Sequence, residues 1–209
     1  MTAFLLVRHG ETVWNRAGRL QGWRDSPLSA AGRAQASALA ERLAAEHVDA
    51  IVASDLGRTR DTAAPIAARL GLALRLDAGL RERCYGEFEG MTWSEIEHAR
   101  PHDYQRLAAR DPEYVVPGGE SAVQFRDRIV SALEHLARSF GGATVAAVTH
   151  GGVLGIVYRR TMDIPLEMPR TFSVPNAGVN RVRIDGGRRW AIEAWADTGH
   201  LSEGALDDE

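Results

Sequence analysis

Residues 3–12 read A-F-L-L-V-R-H-G-E-T, so an apolar run passes directly into an Arg-His pair and a glycine. An apolar run of this length that is bounded by glycine is typical of a buried strand. Open α/β sheets bind their ligands at the carboxyl ends of such strands, so Arg8 and His9 are predicted to face a substrate. Residues 144–152 repeat the pattern, because a Val/Ala run there ends in T-H-G-G.

The rest of the chain alternates between apolar runs and helical periodicity, as βαβ units do. Helices are predicted over residues 29–46, 58–70 and 125–140, and further strands over residues 48–53, 72–76, 179–184 and 189–196. Pro65 should kink the second helix or shift its start. The last two strands are predicted to form a hairpin that turns at Asp185, Gly186 and Gly187 and closes the sheet with an antiparallel edge strand.

These elements predict an α/β protein, a three-layer α/β/α sandwich with a mostly parallel sheet, folded as one domain over residues 1–209. Residues 83–119 differ from the rest, because prolines, scattered aromatics and many charges leave only short helical pieces there. We expect this segment to form a helical lid over the sheet. The acidic residues 203–209 are expected to fray.

Composition narrows the class of protein. The chain is 44% hydrophobic and 25% charged with a net charge of -3, which is typical of a soluble globular protein and unlike a nucleic-acid binder. No apolar run approaches a membrane span, and no secretory signal is apparent. A disulfide framework is not expected, because Cys84 is the single cysteine. We therefore expect a cytoplasmic protein with no nucleic-acid or membrane partner.

The polar residues at the predicted strand ends suit a phosphoryl group. His9 and His150 each follow a strand and precede a glycine, which lets a ligand approach the backbone, and helix N-termini there would favour an anion. Arg58 follows the next strand within S-D-L-G-R-T, and Glu82 in L-R-E is the candidate carboxylate for proton transfer. Each feature alone has an ordinary explanation, such as a surface Glu82 paired to a neighbouring arginine, but their recurrence favours a common site.

An ordered set of motifs then points to a family. The set is R-H-G-E-T (8–12), W-N (14–15), Q-G (21–22), P-L-S-x-x-G (27–32), S-D-L-x-R-T (54–59), L-R-E (80–82), G-E-F-E-G (86–90), P-G-G-E-S (117–121), T-H-G-G (149–152) and D-T-G-H-L (197–201). In this order it closely resembles the histidine phosphatase superfamily, the phosphoglycerate mutase-like proteins. The resemblance covers nearly the whole chain.

The resemblance implies a role for each matching residue. His9 would be the nucleophile that takes the phosphoryl group, and Glu82 would be the acid/base. Arg8, Arg58 and a protonated or N–H-donating His150 would surround the phosphoryl oxygens. The residues implied to bind substrate are Asn15, Gln21, Gly22 and Gly151. This scheme needs neither a metal nor a cofactor.

Three other functions remain open beside a phosphomonoesterase. A cofactor-dependent phosphoglycerate mutase is disfavoured, because mutases continue Y-G-x-L-x-G-L-N-K where this chain has Y-G-E-F-E-G-M-T-W at residues 85–93. A non-catalytic phosphate-binding module would have lost His9, Glu82 or Arg58. A metal-dependent hydrolase with His9 and His150 as ligands lacks carboxylates at ligand spacing.

The sequence leaves the substrate open among small phosphomonoesters such as phosphoglycerates, sugar phosphates and α-ribazole phosphate. The lid offers arginines for an acidic substrate (Arg83, Arg100, Arg106, Arg110) and aromatics for an apolar one (Phe88, Trp93, Tyr104). Oligomeric state is also open, a homodimer included.

Overall fold

The computed structural model describes residues 1–185, 189–201 and 207. The strands are β1 (Thr2–Arg8), β2 (Ala50–Ala53), β3 (Leu74–Leu76), β4 (Thr144–Thr149), β5 (Val179–Ile184) and β6 (Trp190–Asp197). The helices are α1 (Val13–Arg16), α2 (Ala30–Ala44), α3 (Gly57–Leu70), α4 (Trp93–Ala99), α5 (Pro101–Ala108), α6 (Ala122–Ser139) and α7 (Gly151–Met162). The predicted turn residues Gly186 and Gly187 and most of the acidic residues 203–209 lie outside the described residues.

The strands form one sheet in the order β3-β2-β4-β1-β5-β6. The first four are mutually parallel, whereas β5 runs antiparallel to β1 and β6 pairs antiparallel with β5. The antiparallel strand β5 therefore lies next to the edge strand β6, and β3 forms the other edge of the sheet. The chain leaves β4 and β1 in opposite directions across the sheet, so their carboxyl ends form the switch point where such sheets bind ligands.

Alternating side chains of β1 build the core on both faces of this sheet. Phe4 and Leu6 pack into a buried cluster with residues of α6 and α7, and Leu5 and Val7 pack into another with residues of α2 and α3. The predicted three-layer sandwich is thus confirmed.

Pro65 does not delay the start of its helix, because α3 begins at Gly57 and Pro65 lies well inside it. In the lid segment, α4 and α5 follow one another, and Phe88, Ile96 and Val116 form a small buried cluster of their own. Among the described residues, no helix combines the length and apolar character needed to cross a bilayer.

Candidate active site

The two strand-end histidines lie side by side because β1 and β4 are adjacent and in register. Arg8 pairs with Thr149, so the next residue of each strand is a histidine, and the His9 N–H donates to the Thr149 carbonyl at 2.9 Å. Their ring centroids are 5.4 Å apart, with the planes inclined at 63°. Both side chains are buried. The β-ladder itself therefore fixes the distance between them.

His9 is held in a defined protonation state. Its Nδ1 lies 2.8 Å from the Gly10 carbonyl oxygen, which can only accept, so Nδ1 carries the proton and Nε2 keeps its lone pair. Burial, followed by the charges of Arg58 and Arg8, holds the pKa of His9 well below its usual value. A neutral imidazole with an unprotonated Nε2 is a competent nucleophile at neutral pH.

His150 is also neutral. Its Nε2 lies 2.9 Å from the Ser54 hydroxyl, and burial, followed by the charge of Arg58, lowers its pKa well below the usual value. This direction disfavours a protonated His150 and leaves the N–H-donating neutral form. Among the described residues, its Nδ1 has no hydrogen-bond partner, although the atom is buried. A phosphoryl oxygen would supply such a partner.

Arg58 is buried in the first turn of α3, where a cation opposes the helix dipole. Asp25 compensates for this, because its carboxylate accepts from the backbone N–H of Gly57 at 2.6 Å and from Arg58 Nη1 at 2.8 Å. Arg58 Nη2 donates to the Gly22 carbonyl at 2.7 Å, which joins the helix to the Q-G motif. The guanidinium is thereby fixed beside the histidines.

Glu82 bridges the start of the lid segment and the N-terminus of α7. Its Oε1 accepts from the Arg83 N–H at 2.8 Å and its Oε2 from the Gly152 N–H at 2.9 Å. Arg81 does not pair with it, because that guanidinium donates two hydrogen bonds to Asp55. Glu82 is therefore not a surface carboxylate paired with a neighbouring arginine.

Arg128 of α6 holds the backbone that carries Glu82. Its guanidinium donates to the carbonyl oxygens of Gly79, Arg81 and Glu82, each at 3.0 Å, and forms a 2.8 Å ion pair with Glu120. One side chain thus ties three carbonyl groups of residues 79–82 to a helix. The sequence gives no local signal for this contact, since the partners lie more than forty residues apart.

A cavity of about 310 Å³ joins these groups. Its lining includes eight of the predicted residues, namely Arg8, His9, Asn15, Gln21, Gly22, Arg58, Glu82 and Gly151. His150 contacts the His9 ring without lining the cavity. Asn15 is held at the cavity wall because its side-chain oxygen accepts from the Thr12 N–H and hydroxyl at 3.0 and 2.9 Å.

The two glycines that follow the histidines, Gly10 and Gly151, have different structural roles. A Cβ on Gly10 would lie 2.6 Å from the Gly32 carbonyl oxygen, so Gly10 is needed where the loop passes the start of α2. Gly10 does not line the cavity, so the structure gives it this packing role. Gly151 does line it, and a Cβ there would lie 3.3 Å from Arg8 Nε.

The lid side chains divide into two groups. Arg83 and Arg110 line the cavity, whereas Arg100 pairs with Glu87 and Asp103, and Arg106 pairs with Asp111. Phe88 is buried in the lid, and the Trp93 and Tyr104 rings pack edge to face with centroids 6.5 Å apart. The cavity instead contains Arg159, Arg170 and Phe172, which sequence reasoning missed. The sequence could have indicated Arg159, because it lies about two turns along the same helix from Gly151 and so shares its face.

A mostly parallel sheet with two buried histidines and two buried arginines at its switch point defines an α/β protein with a site of the kind that suits an anion. The chain belongs to the histidine phosphatase superfamily (branch 1), whose family model matches residues 4–198. It is 39% identical to the metal-independent phosphoserine phosphatase of Arabidopsis thaliana, over 97% of this chain and 84% of that protein. It is 37% identical to phosphoglycerate mutase-like protein 4 of the same plant, over 95% of this chain and 86% of that protein.

The fold has a close counterpart among solved structures. Bacillus stearothermophilus YhfR superposes with a TM-score of 0.87 at 32% identity, covering 96% of this chain and 99% of that chain. Within the described part of the chain, no group of three or more His, Cys, Asp or Glu residues could hold a metal ion.

Proposed function

We propose that this protein is a metal-independent phosphomonoesterase that hydrolyses small phosphorylated metabolites through a covalent phosphohistidine at His9. The protonation state of His9 carries the proposal, because the Gly10 carbonyl holds the proton on Nδ1, while burial and the neighbouring arginines lower the pKa of the ring and so favour an unprotonated Nε2 beside the cavity. The 39% identity to a protein named a metal-independent phosphoserine phosphatase supports hydrolysis.

In the first step, Nε2 of His9 attacks phosphorus and the bond to the leaving oxygen breaks. Glu82 gives its proton to that oxygen, so that an alcohol departs instead of an alkoxide. Arg8, Arg58 and the N–H of His150 offset the charge on the equatorial phosphoryl oxygens, which is the main contribution a protein makes to this reaction. Asn15, Gln21, Gly22 and Gly151 form the surrounding wall.

In the second step, water attacks the phosphohistidine and the ionised Glu82 accepts the proton of that water. The bond between Nε2 and phosphorus breaks, and inorganic phosphate leaves a neutral His9. Residues 83–119 act as a lid that selects the leaving group, since Arg83, Tyr85 and Arg110 line the cavity.

Rapid quench in alkaline denaturant with phosphorus-labelled substrate, in excess chelator, tests this function. The wild-type protein should carry a label that is stable to base and labile to acid, and it should release inorganic phosphate. His9→Ala should carry none, whereas His135→Ala, which replaces an exposed histidine of α6, should be labelled as the wild type is. Equal labelling of His9→Ala, or a bound substrate that releases no phosphate, would refute the proposal.

A further inference from the structure

The neutral His150 ring can carry its single proton on either nitrogen, and only one choice serves a phosphoryl group. A neutral imidazole has one donor nitrogen and one acceptor nitrogen. If the nitrogen that faces the phosphoryl oxygens lacked the proton, its lone pair would repel those oxygens instead of donating to them. The tautomer of His150 therefore bears on the rate, and a residue beside the neighbouring strand can set it.

Ser54 is placed beside His150 by the sheet. β2 and β4 are parallel neighbours in which Ala53 pairs with Val148, and the Ser54 N–H continues this ladder by donating to the Val148 carbonyl at 3.0 Å. Ser54 follows β2 as His150 follows β4. Both side chains are fully buried, and the Ser54 hydroxyl lies 2.9 Å from Nε2 of His150. The sheet therefore fixes this contact as it fixes the pairing of His9 with His150.

The surroundings of the Ser54 hydroxyl favour donation to the imidazole. The Leu56 N–H approaches the same oxygen at 3.5 Å, and an N–H can only donate. Among the described residues, the hydroxyl proton has no acceptor other than Nε2 of His150. A proton on Nε2 would leave two buried groups unpaired, namely the hydroxyl O–H and the lone pair of Nδ1. A hydroxyl that donates to Nε2 leaves only the Nδ1–H unpaired, and a bound anion would accept from it.

We propose that Ser54 is a positioning residue for phosphoryl transfer, because its hydroxyl donates to Nε2 of His150 and so fixes the proton of that ring on Nδ1, which donates to a phosphoryl oxygen. The proposal rests on the proposed function, since it takes the anion beside His150 to be the transferred phosphoryl group. Ser54 does not line the cavity and acts only through His150.

Both histidines then carry the proton on Nδ1, but they use opposite nitrogens in the reaction. The Gly10 carbonyl holds the proton of His9 on Nδ1, which leaves the Nε2 lone pair for attack on phosphorus. The Ser54 hydroxyl occupies the Nε2 lone pair of His150, which leaves the Nδ1–H for a phosphoryl oxygen. A backbone acceptor makes one ring a nucleophile, and a side-chain donor makes the other ring a hydrogen-bond donor.

Nitrogen NMR of the wild-type protein with isotope-labelled histidine tests the tautomer without any substitution in Ser54. Protonated and unprotonated ring nitrogens differ in chemical shift, and the signals of His150 are assigned by their absence from His150→Gln. We expect a protonated Nδ1 and an unprotonated Nε2 in the free protein, and a further shift of the Nδ1–H signal when inorganic phosphate binds. A protonated Nε2, or a phosphate-induced change confined to Nε2, would overturn the proposal.

Ser54→Ala removes the donor, and Thr59→Val is the matched control. Thr59 carries another buried hydroxyl of the same turn, which donates to the carbonyl oxygens of Ser54 and Leu56 at 2.8 and 2.6 Å instead of to His150. In Ser54→Ala the His150 proton should be shared between the two ring nitrogens. Thr59→Val and the conservative Ser54→Thr should keep it on Nδ1. An unchanged His150 spectrum in Ser54→Ala, or the same change in Thr59→Val, would contradict the role of Ser54.

Single-turnover kinetics separate the role of Ser54 from that of Glu82. Ser54→Ala should slow the phosphorylation of His9 by up to about a hundredfold, the lower end of what the loss of one such donor costs. The loss should be equal for an alkyl phosphate and p-nitrophenyl phosphate, because both present the same phosphoryl oxygens, and Ser54→Thr should recover most of the rate. A loss confined to the alkyl ester would refute the proposal. Absent phosphate release from any ester by the wild type would instead count against the proposed function and leave the tautomer measurement standing.

Discussion

Replacing Gly152 with alanine should displace the Glu82 carboxylate and slow phosphoryl transfer from alkyl esters. The added Cβ would lie 2.1 Å from Glu82 Oε1 and 2.9 Å from its Cδ, closer than real Cβ contacts. The carboxylate must move by about 1 Å, and a misplacement of that size costs about a hundredfold in rate. Stability should change little, because the displaced group ends a flexible side chain and alanine favours the helix by about 1 kcal/mol over glycine.

Single-turnover phosphorylation of His9 is the appropriate assay, since it isolates the step in which Glu82 acts as an acid. An alkyl phosphate should lose about a hundredfold, and p-nitrophenyl phosphate much less, because p-nitrophenolate departs without a proton. Gly141→Ala adds the same methyl group outside the cavity, where its Cβ would lie 3.8 Å from the Arg138 carbonyl oxygen. Equal losses for the two esters, or an equal loss in Gly141→Ala, would refute the reasoning.

Three further predictions concern the supports of the site. In the unfolded chain His9 takes up a proton near pH 6.5, whereas in the folded protein the buried His9 takes up a proton only at lower pH. The free energy of unfolding should therefore fall as the pH decreases below 6.5. His9→Asn should reduce that slope by about 1.4 kcal/mol per pH unit in urea titrations, and an unchanged slope would contradict a neutral His9. Arg128→Met should slow the phosphorylation of His9 by an alkyl ester about tenfold, with a smaller change in KM and a smaller loss of rate for the aryl ester. Equal losses of rate for the two esters would mean that Arg128 has a merely structural role. Pro65→Ala should raise the free energy of unfolding by up to about 3 kcal/mol, measured by denaturant unfolding, because it restores a helical N–H donor. A free energy of unfolding below that of the wild type would show that the proline ring is needed for packing.

The sequence could predict the sheet and half of the site because both follow from local patterns. Apolar runs located β1 and β4, and the identical position of the histidine after each run allowed His9 and His150 to be placed together. The motif set supplied Asn15, Gln21 and Gly22, which have no periodicity of their own.

The remaining parts depend on contacts between distant segments. Asp25 caps a helix that begins more than thirty residues later, and Arg128 holds a loop more than forty residues earlier, so the neighbours of Asp25 and Arg128 along the chain indicate neither contact. Arg159 resembles a solvated residue near a helix end until folding buries it. Arg100 and Arg106 resemble ligands until folding pairs them with carboxylates.

The pairing of His9 with His150 across β1 and β4 has a consequence for how this protein can change. Hydrogen bonds of a central ladder position these two histidines, whereas residues 83–119 contribute Arg83, Tyr85 and Arg110 to the cavity from outside the sheet. Insertions or substitutions in residues 83–119 can therefore remodel what is recognised without moving the atoms that accept phosphorus. The histidine pair can therefore stay constant while selection changes the segment that recognises the substrate.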